Sequence, residues 1–316
     1  MLVRIIKDWQ YPDIYRQTPQ WSGIWDGIEF TLKPVRVCDY VIVLNKVPKD
    51  TKVYCAPENI WAIMQEPPEK EREWIKNGFG DFAKIVTSDS SLIGKKFVHD
   101  CPALPWHVDR TYEQLSALER PRNKVDLVSW VTSNKGDKPG HKQRLQFLKA
   151  IENDLQFDLF GHGFKPIKDK FNALHAYKYS LAVENFCGFD YWTEKIADCY
   201  LSWTMPIYYG CKNIERYFPQ ESFISIDIEK PNQALQIIQK AMSDKLWEKN
   251  IEAIEHSRNL ILNRYQLFPY VSGMIKRNEF ACGEKKLIRL NGLKKPTNRS
   301  FPEKLMRLLK RYRSWG

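Results

Sequence analysis

Asn185 and Lys195 bound eleven residues in which an amide, a phenol (Tyr191), a carboxylate (Glu194) and an ammonium follow one another. The stretch begins where the apolar run "YSLAVEN" (179–185) ends, and Thr193, Glu194 and Lys195 open a helical pattern. A strand running through a short loop into a helix start is an anion-site geometry, because free N–H groups and partial positive charge gather at a helix amino end. Lys195 adds a full cation. Glu194 can accept hydrogen bonds from sugar hydroxyls. The same residues also fit a plainer role, with Thr193 capping the helix and Glu194 and Lys195 solvated in its first turn.

A second reactive group lies upstream. In "WAIMQEPPE" (61–69), Glu66 follows an apolar run and enters a proline-stiffened turn. A carboxylate there can take a proton from a hydroxyl nucleophile. Glu69 competes for that role, and Glu66 could instead cap a helix.

The elements that must position these groups alternate. β-type runs occur at 3–6, 40–45, 60–65, 83–88, 126–133, 157–161, 179–185, 205–210 and 222–228. Most are too apolar to alternate, as in strands of a parallel sheet buried on both faces. Helical spacing occupies 143–154, 192–202 and 231–265. The order predicts an α/β protein. A polar stretch around Pro121 (116–126) divides it into units at 1–120 and 121–290, with a basic tail at 291–316. The cleft between two such units is the expected ligand site.

Composition narrows the class. Seven cysteines without a CxxC pair predict free thiols in a reducing compartment, not a disulfide framework or zinc site. The amino terminus carries charge from Arg4, so no secretory signal is expected. No uncharged run approaches the roughly 20 residues of a membrane span. Of the net charge of +11, residues 294–316 carry +7, so the basicity is local and nucleic acid is not an expected partner.

The segment "YKYSLAVENFCGFDYWTEKIADCYLSWTMPIYYG" (177–210) resembles the signature of the family-10 glycosyltransferases, the α1,3/α1,4-fucosyltransferases. Tyr177, Lys178, Leu181, Ala182, Glu184, Asn185, Asp190, Tyr191, Thr193, Glu194, Lys195, Thr204, Pro206, Tyr209 and Gly210 carry the likeness. "RYFPQESFISIDI" (216–228) extends it. Val183, Phe186, Trp192 and Met205 depart from the pattern, and Trp192 is expected to alter the fit around the sugar.

The resemblance implies a GT-B fold and a GDP-fucose donor. It makes Asn185 and Tyr191 donor contacts, Glu194 the acid on a donor hydroxyl and Lys195 the cation on the diphosphate. Arg144 becomes a phosphate-binding arginine, with His141 and Lys142 as register alternatives. It makes Glu66 the general base of an inverting transfer.

No DxD-type pair occurs in a suitable loop, so no metal or other cofactor is expected, and Arg144, Lys195 and a helix amino end supply the charge. The acceptor is expected to be a glycan, N-acetylglucosamine or glucose in a lipopolysaccharide-like molecule. Trp61, Trp106, His107 and Trp130 are candidates for its cleft wall or for packing. Rival readings are another nucleotide sugar on the same fold, or a non-catalytic nucleotide or polyanion binder.

In the tail, Leu305, Leu308, Leu309 and Tyr312 share a helical face against Lys304, Arg307, Lys310, Arg311 and Arg313. Such a basic amphipathic helix over 300–316 predicts peripheral contact with the inner face of the cytoplasmic membrane, docking on the body being the alternative.

Overall fold

The computed structural model describes residues 1–278 and 283–296 of the chain, so the expected helix at 300–316 lies outside the described residues. The first unit is a seven-stranded sheet. Its strands are β1 (Leu2–Ile6), β2 (Ile24–Trp25), β3 (Ile28–Thr31), β4 (Tyr40–Leu44), β6 (Ile60–Ile63), β7 (Lys84–Thr87) and β8 (Phe97–His99), in the order β2-β3-β1-β4-β6-β7-β8. All neighbours are parallel except β2 against β3. The second unit is an all-parallel sheet of β9 (Val125–Val131), β10 (Phe157–Phe160), β11 (Tyr177–Gly188), β12 (Met205–Cys211) and β13 (Ile224–Ser225), in the order β10-β9-β11-β12-β13.

Helices α1 (Tyr112–Ser116), α2 (Pro139–Ile151), α3 (Lys170–His175), α4 (Glu194–Leu201), α5 (Pro231–Ser243), α6 (Leu246–Lys249), α7 (Ile251–Leu260) and α8 (Leu267–Lys276) complete the α/β order. These two parallel-sheet units are the GT-B architecture expected from the sequence. Every β-type run forms a strand, the last one contracted to Ile224–Ser225. The fully apolar β4 and β6 are buried along their whole length, as strands covered on both faces must be. The long helical pattern at 231–265 breaks where Lys245 adopts a left-handed φ of 55°, and again at a π-type turn over Ile261–Tyr265.

The carboxyl-terminal segment does not stay with the second sheet to residue 290. Helix α8 returns to the first: Phe268 meets Phe30 edge-on with ring centres 5.1 Å apart, and Asp26 takes a 2.8 Å hydrogen bond from Ser272 and a 2.9 Å ion pair from Lys276. Farther along, β14 (Lys286–Leu290) pairs antiparallel with β5 (Thr51–Cys55). These elements face apolar surface of the first unit, which the linear order of the chain does not reveal.

In a parallel sheet every crossover brings the chain back to the same edge, so all carboxyl ends line up together. The segments after β6 and β8 meet those after β9 and β11 across a cleft. Two contacts spanning the units are Lys138 to Glu69 at 2.7 Å and the His107 N–H to the Asp198 carboxylate at 2.9 Å.

Trp61, Trp106 and Trp130 are fully buried and line no cleft. Trp192 is buried too, edge-on to Tyr217, Phe218 and Tyr265 with ring centres 5.2 to 5.8 Å away. The expectation that it shapes the fit around a sugar is therefore overturned. Residues 189–193 turn it inward to fill the space beneath α4. Trp192→Ala should lower unfolding stability by about 3–5 kcal/mol, read from urea denaturation.

Candidate active site

The end of β11 organises the site. Glu184 is a buried carboxylate at the amino end of α4, where it accepts from the Thr193 N–H at 2.8 Å, the Thr193 hydroxyl at 2.7 Å and the Lys195 ammonium at 2.9 Å. A carboxylate at this position satisfies orphan helix N–H groups and opposes the positive end of the helix dipole. Thr193 is the N-cap, its hydroxyl accepting from the Lys195 N–H at 3.3 Å. One face of the capping carboxylate thus serves the helix and the other holds Lys195.

Lys195 also lies 3.8 Å from Glu194 and 3.1 Å from the Thr193 hydroxyl. Burial would lower its pKa, but Glu184 and Glu194 outweigh that and raise it. Glu194 shows the opposite balance. Burial alone would raise it, yet Lys195, His107 and Lys170 hold its carboxyl well below the usual range. Lys170 is itself locked to the buried Asp198 at 2.7 Å. Glu194 therefore stays ionised, an acceptor for hydroxyls.

Arg144 projects from the second turn of α2, and its guanidinium is buried. It donates to the Asn185 side-chain oxygen and, at 2.9 Å, to the Ser133 carbonyl. It forms no ion pair among the described residues, and burial lowers its pKa. A buried cation held only by neutral acceptors is costly until an anion arrives. Gly140 lets α2 approach, since a Cβ there would lie 1.7 Å from the Asn185 carbonyl oxygen. His141, the register alternative, instead bonds Asp137 at 2.8 Å, and Lys142 is exposed.

Tyr191 is buried edge-on to Phe186 at 5.5 Å, and its hydroxyl makes no hydrogen bond among the described residues. Burial raises its pKa well above the ordinary value, and the carboxylates of Glu184, Glu66 and Glu194 reinforce this. Preceding it, Asp190 adopts a left-handed φ of 55°, pinned by Tyr217, Asn213 and Arg216 at 2.6 to 2.9 Å.

From the first unit, the Glu66 side chain is 42% exposed and held by Arg72 at 2.7 Å. Glu69 is spent on Lys138 and, at 3.6 Å, on Arg72. Of the four candidate acceptor-wall residues only His107 reaches the site, its Nδ1 3.9 Å from Glu194.

Between the units, a cavity of about 400 Å³ opens at the amino end of α2, lined among others by Gly140, Asn185, Phe186, Tyr209 and Glu229. Sequence reasoning matched Glu184 to a family pattern without giving it a role, and it did not single out Glu229. For Glu184 the available signal was a lone acid ending an otherwise apolar run.

Comparison with known proteins places this geometry. Residues 121–247 match "Glycosyltransferase family 10 (fucosyltransferase) C-term". Over 191 residues the chain is 27% identical to a 4-galactosyl-N-acetylglucosaminide 3-alpha-L-fucosyltransferase of Gorilla gorilla gorilla, covering 58% of this chain and 48% of that protein. It is 31% identical to a protein of the same description from Pongo pygmaeus, covering 58% and 50%. A 3-galactosyl-N-acetylglucosaminide 4-alpha-L-fucosyltransferase of Homo sapiens is 26% identical, covering 58% and 50%. The chain thus spans about half the length of the curated relatives it matches. Among solved structures, an alpha1,3-fucosyltransferase with GDP-fucose aligns with a TM-score of 0.46 at 16% identity, covering 84% of this chain and 91% of that one. An alpha-glucosyltransferase in complex with UDP-glucose and DNA aligns with a TM-score of 0.50 at 8% identity, covering 87% and 98%, a likeness of fold alone.

Removing the Glu184 charge leaves Lys195 with a weaker partner. Glu184→Gln should cost about 3 kcal/mol in urea denaturation, and adding Lys195→Met should recover part of it. Because the folded pKa of Glu194 is depressed, its stabilisation is complete above the unfolded value of 4.5 and fades as pH falls below that. The Tm difference between wild type and Glu194→Gln should accordingly be constant from pH 8 to pH 6 and narrow under acid conditions.

Proposed function

We propose, from the match of residues 121–247 to the glycosyltransferase family 10 (fucosyltransferase) carboxyl-terminal region, that the chain transfers fucose from GDP-fucose to a hydroxyl of a glycan, with inversion. The observation that carries the reading is the buried Arg144, a cation with no acid partner among the described residues, fixed by Asn185 at the amino end of α2. A nucleoside diphosphate supplies the missing charge. Arg144 binds it with the first-turn N–H groups of α2, and Lys195 contributes the N–H that Glu184 and Thr193 leave free.

The cavity beside Phe186 and Tyr209 takes the base. Glu229 at its rim can accept from the N1–H and amino group of guanine, whereas uracil offers one such donor. Ionised Glu194 accepts from a fucose hydroxyl, and the Tyr191 hydroxyl, without a hydrogen bond among the described residues, is a second contact for the donor.

Glu66 takes the proton from the acceptor hydroxyl as its oxygen attacks the anomeric carbon from the face opposite the diphosphate. Arg72 fixes that carboxylate in place, which suits a weak base acting on an oxocarbenium-like transition state. Charge growing on the departing GDP is met by Arg144, Lys195 and the helix ends, so the proposed chemistry uses no metal.

The acceptor we propose is a neutral glycan of the kind named for the curated relatives or of the lipopolysaccharide type, met at the cytoplasmic face of a membrane through residues 300–316. No helix among the described residues is long and apolar enough to cross a membrane.

Wild-type protein should be stabilised in a thermal melt by GDP and not by UDP, and Arg144→Ala should abolish that shift. Glu66→Gln should retain GDP binding and lose at least about 100-fold in kcat. Stabilisation by UDP alone would point to a different nucleotide sugar, and full turnover in both variants would overturn the assignments.

A further inference from the structure

Tyr11 is the most exposed aromatic ring among the described residues, at 66% of its surface; the Arg16 guanidinium lies 5.9 Å from the ring centre, and most of the side chain remains open to solvent. It follows β1 at the carboxyl edge of the first sheet, on the side of the cleft that carries Glu66. Its hydroxyl reaches the His107 carbonyl at 3.4 Å, and the two rings lie 5.8 Å apart, tilted by 55°. His107, whose side chain is 36% exposed, stands 3.9 Å from Glu194 on the donor side. We propose that Tyr11 and His107 together form the acceptor subsite, a platform for one neutral hexopyranose whose apolar C–H face lies on the Tyr11 ring.

The supports of the platform are rigid and shared with the base. Gln65, buried next to Glu66, accepts from the Trp9 indole N–H at 3.2 Å and donates to the Ala103 carbonyl at 3.4 Å. Its own N–H donates to Asn45 at 2.8 Å. One side chain therefore ties both the segment carrying Tyr11 and the segment carrying His107 to the strand end that presents Glu66. Buried Arg16 donates to the Trp106 carbonyl at 2.9 Å and to Asp109 at 3.1 Å, while the His107 N–H is held by Asp198 of α4.

An exposed aromatic face offers apolar surface while its rim stays wet, the amphipathic match for a pyranose with one C–H face and a ring of hydroxyls. Charge on the ligand is not called for: ionised Glu194 beside the platform disfavours an acidic sugar and gives a neutral one a hydroxyl acceptor. A sugar seated on Tyr11 adjoins His107, which stands 3.9 Å from Glu194 on the donor side.

This subsite rests on the fucosyl-transfer reading, and its test separates the two. Saturation-transfer NMR on the full chain loaded with GDP uses N-acetyllactosamine as probe. Wild type should saturate the C–H protons of one sugar face. Tyr11→Ala should abolish the effect while calorimetry shows GDP affinity at the wild-type value, and Tyr11→Phe should restore it, since the ring and not the hydroxyl binds. In transfer assays Tyr11→Ala should raise the acceptor KM on the order of tenfold. Saturation that survives Tyr11→Ala, or none in the wild type, overturns the subsite while leaving GDP binding intact. Tyr11-dependent sugar binding without transfer from GDP-fucose would instead retain the subsite and overturn the activity.

Discussion

One buried carboxylate holds the second unit's half of the site together. Glu184 ends an apolar strand, caps α4 through Thr193 and anchors the Lys195 ammonium, all within 2.9 Å. Withdrawing a carboxylate from water is unfavourable unless its oxygens are fully used, and here helix N–H, hydroxyl and ammonium use them. The arrangement fixes the angle at which the chain leaves β11 and enters α4. Asn185, Tyr191 and Glu194 all take their positions from that turn, and through Asn185 so does the guanidinium of Arg144.

The site follows a consistent charge logic. Lys195 is balanced by two acids, Glu194 by surrounding cations, and Glu66 by Arg72. Arg144 has hydrogen bonds to the Asn185 side chain and to carbonyl oxygens but no acid among the described residues. An anion entering the cleft therefore meets a buried guanidinium with no acid among the described residues, at the amino end of α2. Across the cleft, Gln65 performs an analogous service without charge, gathering the loops after β1 and β4 and the stretch leading to His107 around the strand that presents Glu66. Each side of the cleft is thus built on one buried polar side chain at a strand end.

The local elements were legible because their signals are local. Apolar runs too continuous to alternate became the buried parallel strands, and the sequence around Thr193 became a capped helix where its residue types predicted one. The order of Asn185, Tyr191, Glu194 and Lys195 along one strand–loop–helix unit let a short motif carry four side chains into one space. Short edge elements such as Ile24–Trp25 and Phe97–His99 were missed, since two or three residues carry too little pattern. Trp61, Trp106, Trp130 and Trp192 offered the same apolar ring to sequence reading whether they lined a cleft or filled a core.

By itself, then, the sequence determined the α/β order, the strand–turn–helix unit and the residue types able to meet an anion, because hydrophobic period and helix-start chemistry act over a few residues. Tertiary structure decided how each carboxylate is used: Glu184 buried against Lys195, Glu69 paired with Lys138, Glu66 half-exposed and held by Arg72. It also decided that α8 and β14 return to the first sheet and that Tyr11 meets His107. Those pairings join residues tens to hundreds of positions apart. Their energies depend on burial and on partners brought together only when the two sheets present their carboxyl edges to one another.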